Sequence, residues 1–312
     1  MPQIKTLGKH PLVTALKWLL AAGAIWLVIQ KVPLAGIGPA LASARLGPLL
    51  GSLTAIFVSS ILNAYRWRAL LRAPDLGVTK YLYFIFVGHF FNLFMPSAVA
   101  AEAVKVVAFG KRYGNLQQNI GVTLVARGMG LLAQLGIGAI AFSLYFRELS
   151  RSGLYSRLNA PWLVLGLAIA AGVAAAAAVF AFRRGLAAQP WVQAIVAASR
   201  NRSLMVKTAG LTLGIQALSA ISGYCLFLSV FPDAPFGKVL LFILIIQAIL
   251  MIPFSLGGVG VREYLVYLFF SQLGGMPREA VLAANLLGYV PLILLSLTGG
   301  AWILFRRHGP ML

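Results

Sequence analysis

Two apolar stretches of this chain stop short in the same manner. Phe84–Lys105 reads FIFVGHFFNLFMPSAVAAEAVK, and Phe242–Glu263 reads FILIIQAILMIPFSLGGVGVRE. Each starts as an apolar helix too short to cross a bilayer. Each is then interrupted by proline and small residues, Met95-Pro96-Ser97 in the first and Pro253 to Gly260 in the second. Each resumes with charge attached: Glu102 and Lys105, then Arg262 and Glu263. Backbone released from helix at membrane depth is tolerated only where it is buried in protein or lines a wet cavity. Broken, charged segments at corresponding places in the two halves point to the midplane site of a transporter.

The membrane setting follows from composition. Of 312 residues, 60% are hydrophobic and 10% charged, with mean hydropathy +0.89, which excludes an ordinary soluble domain. Apolar runs of the ~20 residues needed to span a bilayer recur along the chain. Span candidates lie at about 12–30, 46–66, 117–146, 160–182, 207–231 and 280–305, with the broken segments at about 80–113 and 238–274. No polar stretch is long enough for a soluble domain, so residues 1–312 read as one polytopic membrane domain. Leu12–Gln30 is long for a signal peptide and lacks an immediate small-residue cleavage site, so it reads as a retained first helix.

The net charge is +20, from 26 Lys and Arg against 6 Asp and Glu. With no nucleic-acid-binding motif, this excess reads as basic residues kept in cytoplasmic loops and as affinity for an anionic membrane partner. If the two broken segments are re-entrant hairpins and both termini are cytoplasmic, about sixteen Lys and Arg, from Lys5 to Arg307, fall inside. About seven, from Lys31 to Arg278, then fall outside. Making either hairpin a simple span would swap the later loops and shrink that bias. The expected fold is therefore all-α: about six full transmembrane helices plus two oppositely oriented re-entrant helical hairpins, arranged as an inverted repeat.

Other features read as architecture. Trp18, Trp26, Trp67, Trp162 and Trp302 sit near span ends, as an aromatic belt would. Leu186–Ser199 reads as a helix lying at the inner interface. Tyr65-Arg66-Trp67-Arg68 and Arg72 read as topology signals and headgroup contacts. Cys225 is the only cysteine, so no intrachain disulfide and no multi-cysteine metal site can form.

Arg127 is the most costly residue, since Ile120–Ala141 carries no other charge. About ten residues past the inner end, at ~1.5 Å per residue, it sits near mid-bilayer. A charge there costs at least ~2.5 kcal/mol and must face a partner. It reads as a phosphate ligand or a gating ion pair, or else as a buried Arg bonded to loose hairpin carbonyls. Arg262 and Glu263 follow Gly257-Gly258-Val259-Gly260, where glycine permits close backbone approach. A helix starting there aims free N–H groups toward an anion. Ser97 and Ser255 are candidate caps for the resumed half-helices. The competing reading is that Pro and Gly merely kink transmembrane helices. Glu102 and Lys105 are three apart and share a helix face, which suits a local ion pair as well as a site. His89 and Asn92 are likewise three apart; a hydrogen-bonded structural His is favoured over a proton shuttle. No paired carboxylates, metal-ligand cluster, phosphate loop or Ser/His/Asp set is present, so neither an enzyme nor a cofactor site is expected.

At these residues the chain resembles the flippase-like membrane proteins related to the transmembrane region of lysylphosphatidylglycerol synthase, over about residues 10–306. That family's first motif is matched by Phe90-Phe91-Asn92, Pro96-Ser97, Ala101-Glu102 and Lys105, with Ala101 and Lys105 in place of the usual Gly and Arg. Its Arg in the following helix is matched by Arg127, but Gly128, Met129 and Gly130 stand where an Asp commonly follows. Its last motif is present as Pro253, Gly257, Gly258, Gly260, Arg262 and Glu263. The hopanoid-associated branch is one subfamily it resembles. The resemblance implies movement of lipids or lipid-linked molecules between leaflets, or a membrane accessory role. No synthase domain follows within this sequence, so aminoacyl transfer is not carried over.

The combined expectation is a bacterial inner-membrane flippase for an anionic phospholipid or polyprenyl-phosphate-type lipid. Its headgroup would be held at the midplane by Arg127, Arg262, the hairpin tips (Ser97, Ser255, Gly257, Gly258) and neighbouring Asn92, Glu102, Lys105 and Glu263. The alternative is a non-transporting accessory subunit for a lipid-modifying enzyme. A homo-oligomer or such an enzyme are the protein partners these readings admit. A groove open sideways to lipid favours the first reading and a sealed core the second.

Overall fold

The structure is a computed structural model that describes residues 42, 44–71, 76–93, 98–151, 189–250 and 261–305. Every element among the described residues is helical. In chain order these are α1 (Leu46–Leu71), α2 (Val78–Asn92), α3 (Ala98–Tyr113), α4 (Leu116–Arg151), α5 (Pro190–Arg200), α6 (Arg202–Val230), α7 (Phe236–Leu250) and α8 (Val261–Val266). The last of these runs on as a π-helix over Tyr267–Leu273, and α9 (Arg278–Leu287) and α10 (Tyr289–Phe305) follow.

Four stretches among the described residues are long and apolar enough to cross a membrane: Leu46–Leu71, Leu116–Ile140, Arg202–Val230 and Arg278–Phe305. They match four of the six expected spans. The other two, at about 12–30 and 160–182, lie outside the described residues, with Trp18, Trp26 and Trp162. The last span is not one straight helix. It is divided at Gly288, between α9 and α10. Pro291 accounts for this: its ring collides with the carbonyl of residue 287 in a continuous helix, whereas in the first turn of a new helix its missing N–H costs nothing.

The four apolar helices turn lipophilic residues outward and polar ones inward. Leu132, Ile140, Val206, Leu213, Leu294 and Leu297 are exposed, while Ser52, Thr208, Thr212, Gln216, Ser222 and Ser296 are buried. Against lipid there is no hydrophobic force between helices, so small residues and interhelical hydrogen bonds hold them instead. The α1–α6 pair shows this. Arg45 N donates to Ser229 O at 2.8 Å, Ser52 Oγ and Ser222 Oγ lie 2.8 Å apart, and Arg66 Nη1 donates to Thr212 Oγ1 at 3.2 Å. One number falls as the other rises, so the helices are antiparallel. The α2–α10 pair is antiparallel too. Ser296 Oγ donates to His89 O at 2.8 Å, and Gly299 lies so close to Phe86 that a β-carbon there would stand 2.1 Å from its carbonyl oxygen.

The interrupted segments are built as pairs of short helices. α2 and α3 have 15 and 16 residues, and α7 has 15. At ~1.5 Å per residue each is about 22–24 Å long, short of the ~30 Å hydrocarbon core. α2 rests on α3, and α7 touches both α8 and the π-helix. Each pair anchors its own aromatic core. In the first, the Trp67, Tyr81 and Phe84 rings lie 4.8, 5.2 and 5.3 Å from Phe109. In the second, Phe227 and Phe242 lie 4.2 and 5.4 Å from Phe270.

One expectation is corrected here. Trp67 is not a belt residue facing the interface. It is 4% exposed and donates its indole N–H to Asn119 Oδ1 at 2.9 Å. The Lys105 ammonium and the Phe109 ring occupy its two surroundings, so the apolar body and the N–H are both satisfied inside the protein. The α5 helix, expected near Leu186–Ser199, begins instead with Pro190 in its first turn and ends at Arg200.

Candidate functional site

The residues singled out from sequence fall into two settings. The first is an ion cluster on α3 and α4. Gly114 (φ 77°) and Asn115 (φ 59°) turn the chain sharply between these helices, a left-handed geometry that Gly and Asn tolerate best. The turn lays α4 back along α3. Glu102 then accepts from Arg127 Nε across the helix pair and from Lys105 Nζ, at 3.2 Å, along its own helix. Arg127 thus finds in Glu102 the carboxylate that its own helix lacks at Gly128–Gly130. The Lys105 ammonium stands 4.8 Å from the centre of the Trp67 ring, and a β-carbon at Gly88 of α2 would stand 3.5 Å from its stem. Asn119, which receives the Trp67 N–H, donates to Val106 O at 2.9 Å. Two cations share one carboxylate, and Lys105 has a second role in packing α3 against its neighbours.

The second setting is a cavity of about 350 Å³. Its walls carry His89 and Asn92, at the end of α2, and Leu250, the last residue of α7. They also carry Arg262, at the start of α8. The flanks of both interrupted segments therefore border one space. Ile243, Ile246, Phe227, Phe270 and Leu295 supply apolar wall, and Ser219, Ser222, Gln247 and Asn285 supply the remaining polar groups. Arg262 is seated by packing. Its guanidinium lies 5.2 Å from the centre of the Tyr289 ring, and Tyr289 donates its hydroxyl hydrogen to Glu263. Gly288 makes room for it: a β-carbon there would stand 2.2 Å from Arg262 Nη2.

Among the named candidates, Glu102, Lys105 and Arg127 are brought together in the ion cluster, and Asn92 and Arg262 in the cavity. Glu263 joins Arg262 at Tyr289. Ser97, Ser255, Gly257 and Gly258, with Pro96, Pro253 and Gly260, lie outside the described residues. His89 is hydrogen-bonded, its Nε2 3.3 Å from Ser60 Oγ. Arg66, read from sequence as a topology signal, bonds Thr212 and Asn63 within the bundle. Among the described residues no three His, Cys, Asp or Glu side chains gather where a metal could bind.

Sequence reasoning passed over the amides. Gln134 of α4 donates to Gln216 Oε1 of α6 at 3.2 Å and to Gln247 Oε1 of α7 at 3.3 Å. Gln247 donates on to Ser219 Oγ at 3.1 Å, and Gln216 to Gly130 O at 3.2 Å. This ladder ties three helices together and ends at the cavity wall through Gln247 and Ser219. The signal available was three glutamines within apolar spans, where an amide must find a partner.

No curated protein matches the chain. The family described as the lysylphosphatidylglycerol synthase TM region matches residues 14–299, without resolving the hopanoid-associated branch. That match covers nearly the whole sequence; the chain belongs to the lysylphosphatidylglycerol synthase transmembrane-region family and is a multi-pass membrane protein.

Proposed function

We propose that the chain moves an anionic lipid between the leaflets of a bacterial cytoplasmic membrane. The headgroup enters the cavity at the ends of α2 and α7 while the acyl chains stay in lipid. The observation that carries this reading is that both interrupted segments border one cavity with a guanidinium in its wall. Arg is suited to the task because its planar fork binds phosphate oxygens in pairs. In this scheme α2 with α3, and α7 with α8 and the π-helix, are re-entrant hairpins entering from opposite faces. Their half-length helices support that assignment, as does the inner excess of Lys and Arg that it preserves. Both termini are then cytoplasmic. In this reading the role is transport rather than chemistry.

Arg262 is assigned the headgroup phosphate. The Glu102 cluster is assigned to holding α3 on α4, since a phosphate reaching Arg127 must first displace Glu102. The test is leaflet exchange of labelled phospholipids in vesicles containing the purified protein. Exchange above that of protein-free vesicles, reduced in Arg262→Lys with unchanged melting, supports the reading. Exchange no faster than in protein-free vesicles across anionic phospholipids and polyprenyl phosphate overturns it.

A further inference from the structure

His89 commits only one of its two ring nitrogens to the fold. Its Nε2 lies 3.3 Å from Ser60 Oγ, and the Ser60 hydroxyl donates to Ile56 O at 3.0 Å. A hydroxyl has one hydrogen to give, so Nε2 carries the ring hydrogen and donates it to Ser60. Nδ1 is then a bare lone pair. Among the described residues it has no hydrogen-bond partner, and it is not one of the unpartnered atoms sealed from solvent. The open space beside His89 is the cavity, whose wall it forms.

The charges around the ring decide when that lone pair holds a proton. α2 packs against α1, α3 and α10. From α1 the ring meets Ser60, and from α10 Ser296 donates to the His89 backbone oxygen; neither ionises. Of the ionisable groups on those two helices, Tyr65 is exposed, Arg66 bonds Thr212 and Asn63, Arg68 acts on Tyr81, and Tyr289 bonds Glu263. From α3 comes Lys105, whose charge acts on the ring and whose ammonium is bound to Glu102. Across the cavity stands Arg262 of α8, and the other polar groups of the wall, Asn92, Ser219, Ser222, Gln247 and Asn285, are neutral. Without an anion, an imidazolium here would face Lys105 and Arg262 as like charges. An anion beside Arg262 offsets them and favours the charged ring. The coupling is reciprocal: a protonated ring strengthens binding of the anion by the same factor.

We infer that His89 takes up a proton at Nδ1 together with the anion in the cavity and releases it when the anion leaves, so that lipid movement is coupled to proton movement. Water on the loading side supplies the proton and an N–H bond forms at Nδ1. That bond breaks again to water on the far side. One proton offsets one phosphodiester charge, so the pair crosses without net charge. This rests on the lipid-moving reading above and adds its driving force.

The probe is labelled phosphatidylglycerol in vesicles containing the purified protein. Its phosphodiester keeps one charge between about pH 5 and 8, the range in which histidine titrates. Wild-type exchange should fall as pH rises across that range, by up to about tenfold per unit, the slope of one proton. A pH gradient across the vesicle should drive the lipid in the direction of proton flow. His89→Gln keeps an N–H for Ser60 but cannot be protonated, so its exchange should follow neither pH nor the gradient. Wild-type exchange flat in pH, or a lipid distribution unmoved by the gradient, overturns the inference while leaving lipid movement standing, whether or not His89→Gln folds. A wild-type pH profile in folded His89→Gln overturns it too. If no lipid exchanges, the transport reading fails, and the coupling is read instead from melting of the detergent-purified protein with glycerophosphoglycerol. Stabilisation larger at about pH 6 than at about pH 8 in wild type, and equal at the two in His89→Gln, upholds joint binding of proton and anion. Equal stabilisation at both in wild type, or none, ends it.

Discussion

Arg127 and Arg262 are both cations placed inside an apolar chain, but the protein has dealt with them in opposite ways. Arg127 meets a carboxylate, and that carboxylate is shared with Lys105, whose ammonium lies over the Trp67 ring. Arg262 is laid over a tyrosine ring beside a glycine, in the wall of an open space. A paired charge holds helices together. A charge kept in place by packing keeps its hydrogen-bond donors for something else. The two settings therefore separate stability from function, and they fail differently when altered.

The largest expected effect is on the closed side. Glu102→Ala strands two cations, and breaking a buried pair in this way costs about 3 kcal/mol or more. Its melting temperature in detergent should fall clearly, while exchange per folded molecule stays near wild type. A stable Glu102→Ala protein without exchange would move the site to the ion cluster. On the open side, Arg262→Ala removes a cation–π contact worth about 0.5–2 kcal/mol but the whole phosphate ligand. Exchange should fall by more than tenfold with little change in melting. Gly288→Ala sharpens the contrast, because the added methyl occupies the place of Arg262 Nη2. Exchange should fall severalfold in a protein that still binds detergent and melts normally; wild-type exchange would show that the guanidinium need not sit there. The smallest effect belongs to Gln134→Leu, which removes both ladder bonds from α4. Interhelical hydrogen bonds in membranes average about 0.6 kcal/mol, so melting should drop slightly and exchange remain.

Much of this contrast was legible in the sequence where local rules apply. The span expected at 46–66 is α1, five residues longer, and the span at 207–231 is α6, which starts five residues earlier and ends one earlier. The i, i+3 spacing of Glu102 and Lys105 is an ion pair. Arg127 plainly needed a partner, but which one was decided by the turn at Gly114 and Asn115 and by helix packing, neither of which spacing reveals. Trp67 near a span end reads as a belt residue because sequence gives its depth and not its direction. Asn285, Gln134, Gln216 and Gln247 escaped notice because amides carry no charge to mark their cost, and their partners lie on other helices. The Gly288 break was announced by Pro291 and passed over because the apolar run continues through it.

The central claim is that the ends of both interrupted segments enclose a lipid headgroup beside Arg262. A phospholipid carrying a photoactivatable group on its headgroup tests this most directly, with the adducts mapped by mass spectrometry after irradiation in vesicles. The account predicts adducts on the cavity wall at Asn92, Leu250, Asn285 and Leu292, drawn from both halves of the chain and lost in Arg262→Ala. Adducts confined to the outer, lipid-facing residues such as Leu132, Val206 and Leu294, and unchanged in Arg262→Ala, would contradict it.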